Sequence, residues 1–258
     1  MKLKEIFKIT RGTKVILVIT FAVSAAAVIF AFFYYRTVNR SEDPRIYNAR
    51  KLLTIFDSKG NTLSVAEAFH YLDSAFAIFD NLPDYKSSFE KGVIYNNKCS
   101  VLLIKALYDS TASDYEKLIL LNLSLNYCDS SITVYNKWIN EWGALSEEEI
   151  REKITPIMSN NPGAFKGLSF DKILNRRVRN LVTAQIETPR RLSVSMTNKG
   201  TIFRHMMLAD SAFFYYNHAM SLWKENRTAE SNLSVLMGGE PVKPSLIKSL
   251  FPPDKNKK

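Results

Sequence analysis

Residues 15–33 form a run of nineteen without a single charge, and only Thr20 and Ser24 among them are polar. At ~1.5 Å per helical residue such a run reaches about 29 Å, close to the hydrocarbon thickness of a bilayer. Tyr34 and Tyr35 follow as interfacial aromatics, and Arg36 closes the segment. The stretch 15–35 therefore reads as a transmembrane helix, with the rest of the chain hung behind it. A cleaved signal peptide is the competing reading. Its apolar core would be only ~7–15 residues long and would end on small residues, whereas Phe30, Phe32 and Phe33 stand here.

Basic residues flank the run on both sides. Lys2, Lys4, Lys8, Arg11 and Lys14 make residues 1–14 a basic tail, and Arg36, Arg40, Arg45, Arg50 and Lys51 follow the span. The positive-inside count is thus a tie, and the density of the short tail decides for a cytoplasmic N-terminus with the domain across the membrane. Within the span, Thr20, Ser24, Ala27 and Ala31 share one helix face. Small residues let transmembrane backbones approach each other, so this face is a candidate homodimer seam.

Behind a linker at 36–43, the chain is too apolar for disorder, at 46% hydrophobic residues overall. Nine Gly and nine Pro leave long stretches without a turn signal, which favours an all-α fold over a β protein. Asp43-Pro44 opens a helix carrying Ile46, Ala49, Leu53 and Phe56 on one face. Ser64 and Glu67 form a capping box ahead of Ala68, Leu72, Ala75 and Phe79, and Ser146 and Glu149 form a second one. A helix over 86–108 contains Gly92, a residue whose helix cost points to a close neighbour. Residues 118–139 hold the most regular apolar periodicity. A turn-rich break at 159–170 divides the domain, which spans 44–239. After it the pattern predicts helices at 171–187, 188–206, 210–224 and 227–237, with Thr188-Pro189 separating the first from the second, and a C-terminal tail at 240–258.

Three segments are alike: His70-Tyr-Leu-Asp-Ser-Ala75, Asn126-Tyr-Cys-Asp-Ser-Ser131 and Met207-Leu-Ala-Asp-Ser-Ala212. Asn97-Lys98 and Asn198-Lys199 also recur. Recurring helix pairs are the mark of helical arrays. Over 193–226 the chain resembles the tetratricopeptide repeat family, with Gly200 at the small position of the first helix and Ala212, Tyr216 and Ala219 on the second. Ala68, Leu72 and Ala75 repeat that spacing. In the middle unit Cys99 takes the glycine's place, and Ser124, Cys128 and Ser131 take those of the second helix. The resemblance implies an antiparallel helix-pair array of about eight or nine helices, its repeats degenerate. It also implies a concave groove in which Asn97, Asn198 and Arg204 would meet a peptide partner.

Signals for chemistry are sparse. His70, His205 and His218 stand in no metal-ligand spacing, and there is no phosphate-binding glycine loop or nucleophile elbow. No catalytic residue, metal or cofactor is expected, and an enzyme is disfavoured. Cys99 and Cys128 fall among apolar residues and read as buried thiols, or as a disulfide on an oxidising side. Of the net charge of +10, a local +6 (eight basic minus two acidic) lies between Asp171 and Arg204. Arg176, Arg177, Arg179, Arg190 and Arg191 are its core, a candidate docking patch for an acidic partner or lipid headgroups. With a membrane anchor present, that surface is a nearer polyanion than nucleic acid. The sequence thus points to a single-pass membrane protein whose helical repeats act as a non-catalytic protein-binding or assembly scaffold. The alternative is a structural subunit packed permanently in a membrane complex. The arrangement is similar to that of bacterial inner-membrane proteins carrying such repeats behind one N-terminal span.

Overall fold

The computed structural model describes residues 11–160 and 162–242. The predicted tails lie outside the described residues over 1–10 and 243–258, as do the side chains of Tyr34, Tyr35, Arg36 and Arg40. The described residues are helical, without a strand. Helix α1 spans Arg11–Arg40, α2 Tyr47–Lys59, α3 Val65–Asp80, α4 Phe89–Tyr108 and α5 Asp114–Trp142. They are followed by α6 Glu147–Ser159, α7 Phe170–His205, α8 Ala209–Leu222 and α9 Arg227–Leu236.

The portion of α1 over Arg11–Phe33 is long and apolar enough to cross a membrane, and none of its most apolar stretch is buried. The helix continues to Arg40, five residues past the point where the sequence ends the span. The linker at 36–43 is thereby reduced to residues 41–43, and Ser41 and Asp43 are buried in the domain.

Serine caps start three of the helices. Ser64, Ser113 and Ser146 each accept a hydrogen bond from the backbone N–H of the glutamate three residues on, while that glutamate accepts from the serine's own N–H. The box at Ser113 and Glu116 has the same sequence signature as the other two, although the surrounding 109–114 reads as a polar turn. In each box the reciprocal hydrogen bonds hold the glutamate below the usual carboxylate range.

One prediction is corrected outright. Thr188-Pro189 does not separate one helix from the next, because α7 runs through it for 36 residues. Proline lacks the N–H for the bond to Gln185 and its ring crowds that carbonyl. The helix survives because both its flanks are packed: Thr188 and Ser193 are fully buried, and Leu192 nearly so. The Gln185 amide is also fastened, donating to the carbonyls of Trp142 and Leu145 at 2.7 Å each. The rule that proline breaks a helix holds for an isolated one, and this helix is enclosed by α5 and α8.

Adjacent helices pack as pairs, α2 with α3, α4 with α5 and α7 with α8, and α3 meets α4 as α5 meets α7. Helix α7 is the common member of the core. Its N-terminal half joins Trp138 and Trp142 of α5 and Ile150, Ile154 and Met158 of α6 through Ile173, Val178 and Leu181. Farther on, Leu192 and Met196 meet Tyr135, Ala219 and Ala229, and Ile202 meets Cys99, Leu121 and Cys128. A separate cluster of Ile46, Ala49, Leu72, Ala75 and Phe79 closes the α2/α3 pair.

Two glycines set the tightest helix contacts. A Cβ on Gly92 would fall 2.5 Å from the Tyr135 ring, and one on Gly200 would fall 2.8 Å from the Tyr216 ring. Cys99 does face Cys128, and Ser124 Oγ donates to its carbonyl. The glycine–tyrosine contact of that pair, however, lies seven residues earlier on α4, at Gly92, and seven later on α5. The register expected for the middle unit is therefore shifted by one heptad.

Candidate functional site

The residues just after α1 enter a buried network of charges. Arg45 Nη2 donates to Asp43 Oδ2 at 2.7 Å and to Asp84 Oδ2 at 2.6 Å, and Tyr85 Oη donates to Asp43 Oδ2 at 3.2 Å. Below it, Arg177 Nη1 donates to Glu90 Oε1 at 2.8 Å while its guanidinium lies 3.9 Å from the centre of the Tyr85 ring. Burial opposes the charge on Arg177, but Glu90, Tyr85 and Asp84 outweigh it and raise its pKa. Burial also pushes the Tyr85 hydroxyl far above its usual range. Arg45 and Arg177 are thus locked as cations, and they tie the exit of α1 to α4 and α7.

This network consumes some of the predicted basic patch. Arg177 is buried, with a side chain only 2% exposed, and cannot face a partner or a lipid. Arg190 pairs with Glu187 at 2.9 Å, and Arg191 lies 5.0 Å from the centre of the Phe89 ring. Arg176 donates to Ser41 Oγ at 3.3 Å, and Arg179 is exposed. The five arginines therefore form no single surface, because a helix distributes consecutive residues around its axis.

The predicted groove residues are likewise separated. Asn198 Nδ2 donates to Asn96 Oδ1 and to Ser100 Oγ, both at 3.1 Å, so its partners across the helix interface are Asn96 and Ser100 and not Asn97. Asn97 is half-buried on α4, and Arg204 contacts His205 at the end of α7. A polar seam continues inward: Ser195 Oγ donates to Asn96 Oδ1, Ser131 Oγ lies 3.0 Å from Ser195 Oγ, and Ser131 Oγ donates to the Gly92 carbonyl. These groups satisfy one another at the junction of α4, α5 and α7.

The recurring sequence segments meet in space. Lys98 pairs with Asp73, and Lys199 with Asp129 at 2.5 Å. Each lysine belongs to the first helix of a pair and reaches the second helix of the pair before it. Each ammonium also sits near two rings, Phe69 and Tyr127 for Lys98 and Phe203 and Tyr215 for Lys199. Asp210, in the third segment, has no cationic partner among the described residues. The repeated Asp-Ser and Asn-Lys motifs are thus two halves of one recurring inter-pair bridge.

At the far ends of α3 to α5, opposite the exit of α1, lies a groove with two lobes. One lobe, of about 520 Å³, is walled by Leu63, Val65, Ala68, Val101, Ile104 and Tyr108. The other, of about 370 Å³, includes Ala112, Glu116, Ile119 and Leu120. Lys105 and Asp109, an ion pair, belong to both and join them. Ile104 is 43% exposed, Ile119 42% and Tyr108 79%, too much for side chains that serve only the core. Sequence reasoning missed this groove, though an unsatisfied apolar flank at the end of 86–108 was a signal for it. Among the described residues no group of His, Cys, Asp and Glu could hold a metal ion.

Compared with known proteins, the chain matches no family model, no curated protein and no solved structure.

Proposed function

We propose that this chain is a membrane-anchored helical-repeat protein that serves as a non-catalytic platform for binding or assembling other proteins. The observation that carries this reading is the apolar groove of Ile104, Tyr108 and Ile119 at the end of the domain away from α1. Its walls suit an apolar flank of a partner's helix or extended segment, with the Lys105–Asp109 pair available to polar groups at the rim.

A tetratricopeptide-like array is the architecture we infer for the platform, with α2/α3, α4/α5 and α7/α8 as its units. Two features support it. The same glycine–tyrosine contact recurs in two pairs, and the same Asp–Lys bridge recurs between successive pairs. The units are degenerate, since α5 and α7 exceed the family's helix length and α6 is inserted between them.

We further infer that α1 is an uncleaved anchor, with the N-terminus cytoplasmic and the domain periplasmic in a bacterial inner membrane. Its direct continuation from the apolar segment into the buried Ser41 and Asp43 supports this. Protease added outside spheroplasts should degrade the domain, and an intact domain there would reverse the orientation.

The test of the platform is a fragment from Ser41 onward. It should purify as a folded monomer and bind a crosslinked membrane partner reversibly, with Tyr108→Glu reducing that binding about tenfold or more, as for a central interface aromatic. Aggregation of the fragment would point instead to a permanently packed subunit.

A further inference from the structure

The remaining exposed cations of the basic segment gather where the anchor leaves the domain. Helix α7 begins beyond the ends of α4 and α5, with α6 packed along its inner side: Arg177 is level with Glu90 at the start of α4, and Gln185 is level with Trp142 at the end of α5. Its first turns therefore project past both, toward the side on which α1 departs. Arg176 confirms the direction by donating to Ser41, the residue that follows α1. Lys172, Arg176 and Arg179 are spaced four and three apart and share one face of α7. Lys172 and Arg179 are exposed, and Lys166 and Leu168 are exposed in the turn just before the helix. With Asp171 as the one acid beside them, the exposed Lys166, Lys172 and Arg179 carry three positive charges minus one, a net +2. Arg177 does not count, being neutralised inside by Glu90.

Distance along α1 fixes how far this cluster stands from a bilayer. From Phe33 to Ser41 is eight residues, which at ~1.5 Å each is about 12 Å if the helix stands upright. Tilt only shortens that height. Headgroups occupy roughly the first 5–8 Å beyond the hydrocarbon, and the Debye length in physiological salt is about 8 Å. Ser41 is buried in the domain, so the domain cannot swing away on a loose tether.

We propose that the N-terminal end of α7, with the turn at Lys166, is a docking surface for anionic phospholipid headgroups of the membrane that holds α1. This surface holds the domain upright against the bilayer. The proposal rests on α1 being a membrane anchor.

The full chain is reconstituted into nanodiscs of purely zwitterionic lipid or of about one-third anionic lipid, the composition at which a surface potential develops. Lysine acetylation is then followed by mass spectrometry. Lys166 and Lys172 should react about threefold or more slowly in the anionic discs, and about 0.5 M salt should abolish the difference by screening. Lys59, exposed at the far end of α2, should react equally in both. Equal rates at Lys166 and Lys172 in chains that have entered the discs overturn this inference and leave the anchor standing. A chain that stays out of the discs overturns both.

Discussion

Arg177 shows what a single residue can decide. Its side chain is buried against Glu90 and the Tyr85 ring, so removing it strands a carboxylate in the interior. Arg177→Met should cost about 3–5 kcal/mol in urea unfolding, whereas Arg177→Met with Glu90→Leu should recover most of that loss. A double variant as unstable as the single one would mean that packing, not charge, is what Arg177 supplies. The sequence could not reveal this role. Its local charge count grouped Arg177 with its neighbours, and the partner that neutralises it stands 87 residues earlier. Gly92 was legible by contrast, because a glycine inside a periodic helix weakens it unless a neighbour needs the space. Gly92→Ala should destabilise the protein by about 1–3 kcal/mol despite the better helix propensity of alanine, since the new Cβ would overlap the buried Tyr135 ring. Gly163→Ala, with open space around it, is the control. The thiols give a third check at this scale. Cys99 and Cys128 are fully buried, and burial raises the Cys128 thiol well above its ordinary range. A thiol reagent should therefore label neither in the native protein and both after unfolding under reducing conditions.

At the scale of elements, periodicity and capping residues located the helices of the domain other than α7 within a few residues, because those signals are local. Where the prediction failed, a tertiary neighbour had overruled a local rule. Pro189 is the clearest case. Interior proline costs a helix about 3 kcal/mol relative to alanine, and the packing of Thr188 and Leu192 offsets that cost. Pro189→Ala should accordingly stabilise the protein by roughly 1–3 kcal/mol, measured as a higher urea midpoint. A loss of stability instead would show that α5 and α8 are fitted to a bend the proline maintains. The capping boxes make a pH prediction with a definite sign. Their glutamates, Glu67, Glu116 and Glu149, titrate below 4.5 in the folded chain because serine hydrogen bonds favour the ionised form. Their contribution is present above the unfolded value near 4.5 and disappears as pH falls through the folded values. Replacing all three with glutamine should flatten the acid limb of the stability curve. Of the groove only the α4 wall, Ile104 and Tyr108, left a trace in the sequence, since the groove itself is formed where the ends of three helices fail to cover one another.

For the whole molecule, the arrangement of the core separates two kinds of helical array. In a linear array each pair touches only its neighbours, and the ends open before the middle. Here α7 contributes to three of the four apolar clusters, from Ile173 in the one that holds the α6 residues to Ile202 in the one that holds Cys128. No pair from α4 onward can leave without exposing some of α7. The fragment from Ser41 should therefore unfold in urea as one transition, with the fluorescence of Trp138 and Trp142 and the helical circular dichroism changing together. Only the α2/α3 pair, whose cluster lacks α7, is a candidate for earlier opening. It is held to the rest through α4, the Lys98–Asp73 bridge, the Arg45–Asp84 pair and the Tyr85–Asp43 hydrogen bond, with Asp43 also orienting Arg45. Asp43→Asn weakens that hold without touching α7. Amide exchange in α2 and α3 should then rise well above that in α7, while the tryptophan transition keeps its midpoint within experimental error. Equal acceleration throughout would show that the junction beneath α1 belongs to the same cooperative unit as α7, and that the exit of α1 is coupled to the entire domain.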